Sequence, residues 1–223
     1  MEVDGQDPRR IVADGYDRIA ERYARWTSEE VVDEARPRYA AVLLEGLPEG
    51  STVLELGCGG GGPTTRQLAA RFALTGVHIS ARQIELARRN VPRAAFIHGD
   101  MSRLELAPSS FDGVASFYSF LHLPYGELPP LLARIGAWLR PNGLLVATMA
   151  AGRDTGAVEP DWLGAPMYFS GYSLEENRSL IEQAGLQIVD LRTETILENG
   201  RPVRFLWAVA RKAAPGAPSS TPP

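Results

Sequence analysis

The chain has 223 residues, 44% of them hydrophobic and 22% charged, the proportions of a globular protein able to bury one sizeable core. Its formal net charge of −4 argues against a general nucleic-acid binder, which carries a basic face, and its single cysteine, Cys58, rules out an intrachain disulfide and suits a reducing compartment. No apolar run is long enough to span a membrane, and the opening Met1-Glu2-Val3-Asp4 lacks the basic-then-apolar pattern of a secretory signal, so a cytoplasmic location is expected.

Asp7-Pro8 pairs an N-cap with a proline at the first helical turn. Ile11, Tyr16, Ile19, Ala20, Tyr23 and Trp26 then recur at roughly helical spacing. A second helix is expected from Glu29 to about Gly46, kinked or split at Pro37. Strands and helices alternate from there: a strand over 52–56, a helix over 63–72 and a strand over 73–79. Ser80-x-x-Gln83 is a capping box opening a helix to about Asn90. Strands follow over 95–98 and 113–117, the latter led by Phe111-Asp112. Residues 128–139 form a helix with Pro129-Pro130 in its first turn, and 143–149 a further strand. Short apolar strands alternating with helices indicate a parallel sheet covered on both faces. Residues 150–172 break the rhythm, being rich in Gly, Pro and aromatics and too long for an ordinary connection; they read as a lid or substrate loop. Ser173-x-x-Glu176 opens a helix that ends at Gly185. Strands over 187–195 and 203–210 are joined by a turn at Glu198-Asn199-Gly200-Arg201. The expected fold is a doubly wound α/β domain over 1–212, with a mostly parallel seven-stranded sheet ending in an antiparallel hairpin. Residues 1–48 form a helical cover. The tail 213–223, made largely of Ala, Pro, Gly and Ser, is expected to be disordered.

The chemistry concentrates at Val53-Leu54-Glu55-Leu56-Gly57-Cys58-Gly59-Gly60-Gly61-Gly62-Pro63, a strand running through a tight turn into a helix. Glycine has no Cβ, so backbone there can turn sharply and lie against a ligand, and the first strand–turn–helix of such folds binds nucleotide-like cofactors. Spacing alone leaves two readings. Gly57, Gly59 and Gly62 satisfy the dinucleotide pattern G-x-G-x-x-G. Glu55, Gly57, Gly59 and Gly61 satisfy E-x-G-x-G-x-G.

The second pattern resembles motif I of the class I S-adenosylmethionine (SAM)-dependent methyltransferases. Further segments stand in the order that family shows. Tyr16-Asp17-x-Ile19-Ala20-x-x-Tyr23 is similar to the N-terminal helix of its small-molecule branch. Gly76-Val77-His78-Ile79-Ser80-x-x-Gln83, Gly99-Asp100-Met101 and Phe117-Tyr118-Ser119-Phe120-Leu121-His122-Leu123 follow, and Leu139-Arg140-Pro141-Asn142-Gly143 looks like the family's L-R-P-G-G turn. The similarity runs from about Tyr16 to Arg211.

The resemblance implies SAM as cofactor, S-adenosylhomocysteine as product and a small-molecule acceptor methylated on O, N, S or C by in-line displacement. It implies a cofactor-binding set of Glu55, Gly57, Cys58, Gly59, His78, Ile79, Gln83, Asp100, Met101, Phe117 and His122. In that set Glu55 organises the turn and the methionine end. Asp100 accepts the adenine amino group, and Met101 packs on the ring or offers its amide. One position departs from the family: the acid that accepts both ribose hydroxyls is His78 here. A neutral imidazole has one acceptor nitrogen and one donor, so His78 is expected to bond one hydroxyl rather than accept from both. Methyl transfer from a sulfonium needs chiefly alignment and exclusion of water, with a base where the acceptor proton has a high pKa. His122 is the candidate base or orienter, with Tyr16 and Tyr23 as further candidate catalytic residues. Tyr118, Trp162, Tyr168 and Phe169 are candidate substrate-binding residues, since an aromatic cover suits a planar or apolar acceptor and aromatic faces stabilise a cation. The three histidines have no metal-ligand spacing, so no metal is expected, and His98 reads as structural.

Two other functions stay open. A SAM-binding protein that does not methylate is favoured by the His78 departure and the lack of a certain base. An NAD-binding oxidoreductase gives Asp100-Met101 and the C-terminal hairpin no role. A nucleic-acid methyltransferase is disfavoured by the acidic balance and the lack of an Asn-Pro-Pro-Tyr-like motif.

Overall fold

The computed structural model describes residues 6–214, so most of the expected tail lies outside the described residues. Helix α1 (Pro8–Glu29) starts as expected, with the Asp7 carboxylate accepting the Arg9 amide at the N-cap and Pro8 in the first turn. The expected continuous second helix is corrected. A two-residue strand β1 (Val31–Val32) intervenes, and α2 (Ala35–Gly46) begins later. Pro37 therefore sits in the first turn of α2, where a missing N–H leaves no helical hydrogen bond unmade; the Asp33 carboxylate accepts the amides of Ala35 and Arg36 there.

Alternation then follows through β2 (Thr52–Leu56), α3 (Pro63–Arg71), β3 (Ala73–His78), α4 (Ala81–Asn90), β4 (Ala95–His98), β5 (Phe111–Ser116), α5 (Leu128–Trp138) and β6 (Leu139–Ala150). Val53, Leu54 and Leu56 of β2 are all buried, because a central parallel strand has helices over both faces. The sheet runs β1-β9-β10-β6-β5-β2-β3-β4, where β9 is Leu186–Glu198 and β10 is Arg201–Lys212. Pairing is parallel from β6 through β4 and antiparallel among β6, β10, β9 and β1. The expected seven strands are present, and β1 adds an eighth at the edge. Strand order reverses at β2, with β3 and β4 laid down on one side and β5 and β6 on the other, so the carboxyl ends of β2, β3 and β5 open onto the switch point where such folds bind ligands.

Residues 150–172 are not a loop. They form an antiparallel hairpin, β7 (Asp154–Trp162) and β8 (Ala165–Gly171), separate from the main sheet. Its turn places both Leu163 and Gly164 at positive φ, the backbone of a tight two-residue hairpin connection. Leu174–Gln183 forms α6, opened by the full Ser173–Glu176 capping box. At α4 the expected box is half made: the Ser80 hydroxyl accepts the Gln83 amide, while the Ser80 amide goes to His78 Nδ1.

The core has three parts. One lies between α5, α6 and one sheet face, and one between α2, α3 and the other. The third joins α1 to the hairpin through Ile11, Val12, Tyr16, Ile19, Ala165, Met167 and Tyr168. The approach is close at Gly15, where a Cβ would stand 2.8 Å from the Pro166 carbonyl oxygen. Helix α1 and the hairpin thus form one cover over the carboxyl edge of the sheet.

Candidate active site

The turn after β2 is held rigidly. The amides of Gly57 and Cys58 both donate to the Val77 carbonyl, at 2.8 and 3.1 Å. Gly57, Gly59 and Gly61 all have positive φ, and a Cβ on Gly57 would stand 2.2 Å from that of Ser119. Only glycine allows this conformation and this approach. Beneath the turn, Glu55 is 4% exposed. One carboxylate oxygen accepts the Thr65 hydroxyl at 3.1 Å, and the other has no partner. Burial pushes its pKa up to about 7, against the Thr65 hydrogen bond and the Arg36 charge. Gln83 is also buried, its side-chain nitrogen unpartnered. Cys58 is buried, and burial holds its thiol well above the ordinary range. Unpartnered buried polar atoms are uncommon in native structures, and here two of them flank the glycine turn.

His78 ends β3, packed edge-on to Tyr16 with ring centres 5.1 Å apart. Its Nδ1 accepts the Ser80 amide at 3.0 Å, so in the neutral ring the proton sits on Nε2. Burial pulls its pKa down to about 3. The free nitrogen of His78 is thus a donor. Ile79 packs into the cluster between α1 and the hairpin. Asp100 caps a short 3-10 turn, Met101–Arg103, by accepting the Ser102 amide and hydroxyl. It also accepts Arg9 Nε at 2.8 Å, and Arg9 reaches on to Glu127. This bridge from the first turn of α1 was not legible in the sequence. The Met101 side chain packs against the α5–α6 core.

A cavity of about 320 Å³ opens between the cover and the sheet edge. Its lining includes Tyr16, Tyr23, Trp26, Tyr118, His122, Trp162 and Phe169, so the structure brings most of the expected aromatic residues together. Tyr16 is central, edge-on to Tyr23, His78, His122 and Trp162 with ring centres 5.1–5.8 Å apart. Two of the expected site residues turn their side chains away from the cavity. Tyr168 is fully buried and outside the lining; its hydroxyl accepts the Tyr125 amide and its carbonyl bonds His122. Phe117 turns its side chain into the α2–α3 core against Trp207. His98 bonds the Ile79 carbonyl from an exposed position, a structural role.

His122 Nδ1 lies 2.9 Å from the Tyr168 carbonyl oxygen, and Nε2 lies 2.9 Å from the Tyr16 hydroxyl. Burial lowers the His122 pKa to about 4, and raises that of Tyr16 well above its ordinary value. Arg36, which sequence reasoning missed, also lines the cavity. Its Nε bonds Asp33, its guanidinium lies 4.7 Å over the Tyr118 ring, and Nη1 and Nη2 have no partner among the described residues. Tyr118 is at positive φ and donates its hydroxyl to Asp33 at 2.8 Å. A bulky residue held in that region is a strained position of the kind found at functional sites. Among the described residues, no three His, Cys, Asp or Glu side chains cluster as metal ligands, and no helix is long and apolar enough to cross a membrane.

Comparison with known proteins places this geometry. A family model described as a methyltransferase domain matches residues 53–143. Methyltransferase GfsG of Streptomyces halstedii is 28% identical over 221 residues, covering 86% of this chain and 78% of that protein. The 27-O-demethylrifamycin SV methyltransferase of Amycolatopsis mediterranei is 27% identical over 202 residues, covering 79% and 73%. Among solved structures, the 1,6-didemethyltoxoflavin-N1-methyltransferase of Burkholderia thailandensis, with its substrate and S-adenosylhomocysteine bound, superposes with a TM-score of 0.68. It is 20% identical and covers 96% of this chain and 94% of its own.

Proposed function

The chain belongs to the class I SAM-dependent methyltransferases, and from that premise we propose that it methylates a small, planar or largely apolar metabolite bound in the aromatic cavity, in the cytoplasm. The observation that carries this reading is the cavity itself. It is closed by aromatic rings, sits over the carboxyl edge of the sheet and has a histidine in its wall. The relatives support it, since a rifamycin methyltransferase and a toxoflavin-precursor methyltransferase act on small molecules by their names.

The residues fit SAM. The glycine turn is shaped to lie against a ligand, and the unpartnered Glu55 oxygen and Gln83 nitrogen beside it have unused hydrogen-bonding capacity. The free donors of Arg36 suit a carboxylate, which a guanidinium fork binds in two parallel hydrogen bonds. Arg36 would hold the methionine carboxylate, the His78 Nε2 hydrogen would donate to a ribose oxygen, and Asp100 would take the adenine amino group. When bound, SAM supplies an activated methyl group on a sulfonium that leaves as a neutral thioether. The protein's part is to align acceptor and methyl, to exclude water with α1 and the β7–β8 hairpin, and to present aromatic faces to positive charge.

A thermal-shift panel of SAM, S-adenosylhomocysteine and NAD, followed by label transfer from methyl-labelled SAM to phenol, amine and thiol acceptors, tests this. Stabilisation by SAM and S-adenosylhomocysteine with transfer to at least one class is expected. Cofactor binding with no transfer to any class sustains the non-methylating alternative, and stabilisation by NAD alone defeats both.

A further inference from the structure

Resting on the methyl-transfer reading, we propose that Tyr16 takes the acceptor's proton and that His122 receives it through Tyr16. The argument begins at Tyr168. A carbonyl oxygen only accepts, so the 2.9 Å contact between His122 Nδ1 and the Tyr168 carbonyl places the ring proton on Nδ1. Nε2 is then the basic nitrogen. It is not open to the cavity, because the Tyr16 hydroxyl stands 2.9 Å from it and must be the donor. An acceptor proton therefore reaches His122 only by way of Tyr16, whose oxygen keeps a lone pair and lies in the cavity wall.

The step balances. The acceptor O–H gives its proton to Tyr16 Oη as the Tyr16 proton moves to His122 Nε2. The acceptor oxygen forms its bond to the methyl carbon, and the carbon–sulfur bond breaks, leaving the thioether and an imidazolium. The imidazolium keeps both hydrogen bonds, Nδ1–H to Tyr168 and Nε2–H to Tyr16. Burial disfavours that charge, as the lowered His122 pKa of about 4 indicates, so the proton is returned to solvent before the next turnover. Tyr168 is a positioning residue: β8 fixes its carbonyl, and its own hydroxyl is tied to the Tyr125 amide. The hairpin thereby fixes the histidine tautomer as well as covering the site.

The test compares Tyr16→Phe and His122→Gln with the unaltered protein on substituted phenols and on thiophenols. Glutamine can keep both hydrogen bonds of the imidazole and cannot hold the proton. Thiophenols are largely ionised at pH 8 and need no base. Both variants should lose on the order of 100-fold in kcat on phenols, with KM little changed, and should keep their rates on thiophenols. Equal losses on both series, or full phenol activity in His122→Gln, would overturn the relay while leaving methyl transfer intact. Unaltered protein that binds SAM and labels amines but neither series would overturn the relay alone, and protein that labels no phenol, amine or thiol would overturn both. Nitrogen-15 NMR of His122 gives a readout free of turnover: the Nδ1–H tautomer is expected from pH 5.5 to 8, and the Nε2–H tautomer would refute the proposal.

Discussion

Replacing Glu55 by glutamine tests the energetics beneath the glycine turn. The carboxyl is 4% exposed, and its pKa is raised by burial from 4.5 to about 7. An acid whose folded pKa exceeds its unfolded value holds a proton that the unfolded chain has already released. Its contribution to stability is therefore lost as pH rises from 4.5 to 7. At about 1.4 kcal/mol per unit, the ionised group costs about 3 kcal/mol at pH 8. Two histidines act in the opposite sense. Burial lowers His78 from 6.5 to about 3 and His122 from 6.5 to about 4, so the stability they provide is complete above 6.5 and lost as pH falls. Between pH 4.5 and 6.5 these three groups leave one net proton, a slope of about 1.4 kcal/mol per pH unit. Glu55→Gln should double that slope, and His78→Asn, whose side-chain oxygen can still accept the Ser80 amide, should flatten it. Urea unfolding followed by tryptophan fluorescence at pH 4.5, 5.5, 6.5 and 8 measures all three chains. The variant and the unaltered protein should coincide at pH 4.5, with Glu55→Gln about 3 kcal/mol more stable at pH 8. Equal stability of the two at pH 8 would refute the account of Glu55 as a desolvated acid. The same change should weaken SAM binding in calorimetry, because the unpartnered carboxylate oxygen is lost.

Other substitutions separate fold from site. Gly57→Ala meets both a positive φ and a Cβ 2.2 Å from Ser119; a melting-point loss worth about 3 kcal/mol and undetectable SAM binding are expected. Arg36→Gln removes the free guanidinium donors while Asp33 keeps two amides and Tyr118; SAM affinity should fall about tenfold or more, the worth of a hydrogen bond to a charged group, with little change in melting point. Arg9→Ala unties α1 from Asp100 and Glu127, so amide exchange over residues 10–13 should speed up. Gly136→Ala places a Cβ 2.4 Å from the Ala184 carbonyl oxygen, between α5 and α6; it should cost about 1–3 kcal/mol of stability while SAM affinity stays unchanged.

Much of the fold is local chemistry and so was legible. Asp7-Pro8 caps α1, Ser173 and Glu176 close their box, and Asn199-Gly200 turns between β9 and β10. The β7–β8 hairpin was not, because β7 carries the strand-disfavouring Gly156 and Pro160 and pairs with β8 alone. Pro160 is tolerated there because β7 has a free edge. Nor does anything near Pro37 announce β1, whose pairing with Glu198 and Leu197 is settled by where β9 passes.

The sequence by itself determined the cofactor class. Glu55 lies near the carboxyl end of β2, and the glycines after it, Asp100 and the segment around His122 each follow a strand end; the sheet brings strand ends to one edge. What each side chain does there was decided by tertiary structure alone. Tyr168, read as an acceptor contact, instead sets the His122 proton from 46 residues away, and Tyr16 reaches the same ring from 106 residues away. Phe117 turns into the core, and Arg36 enters the site because α2 begins beside Tyr118. A residue's type limits which hydrogen bonds it can make, but which lone pair or proton remains free depends on partners that only the fold supplies.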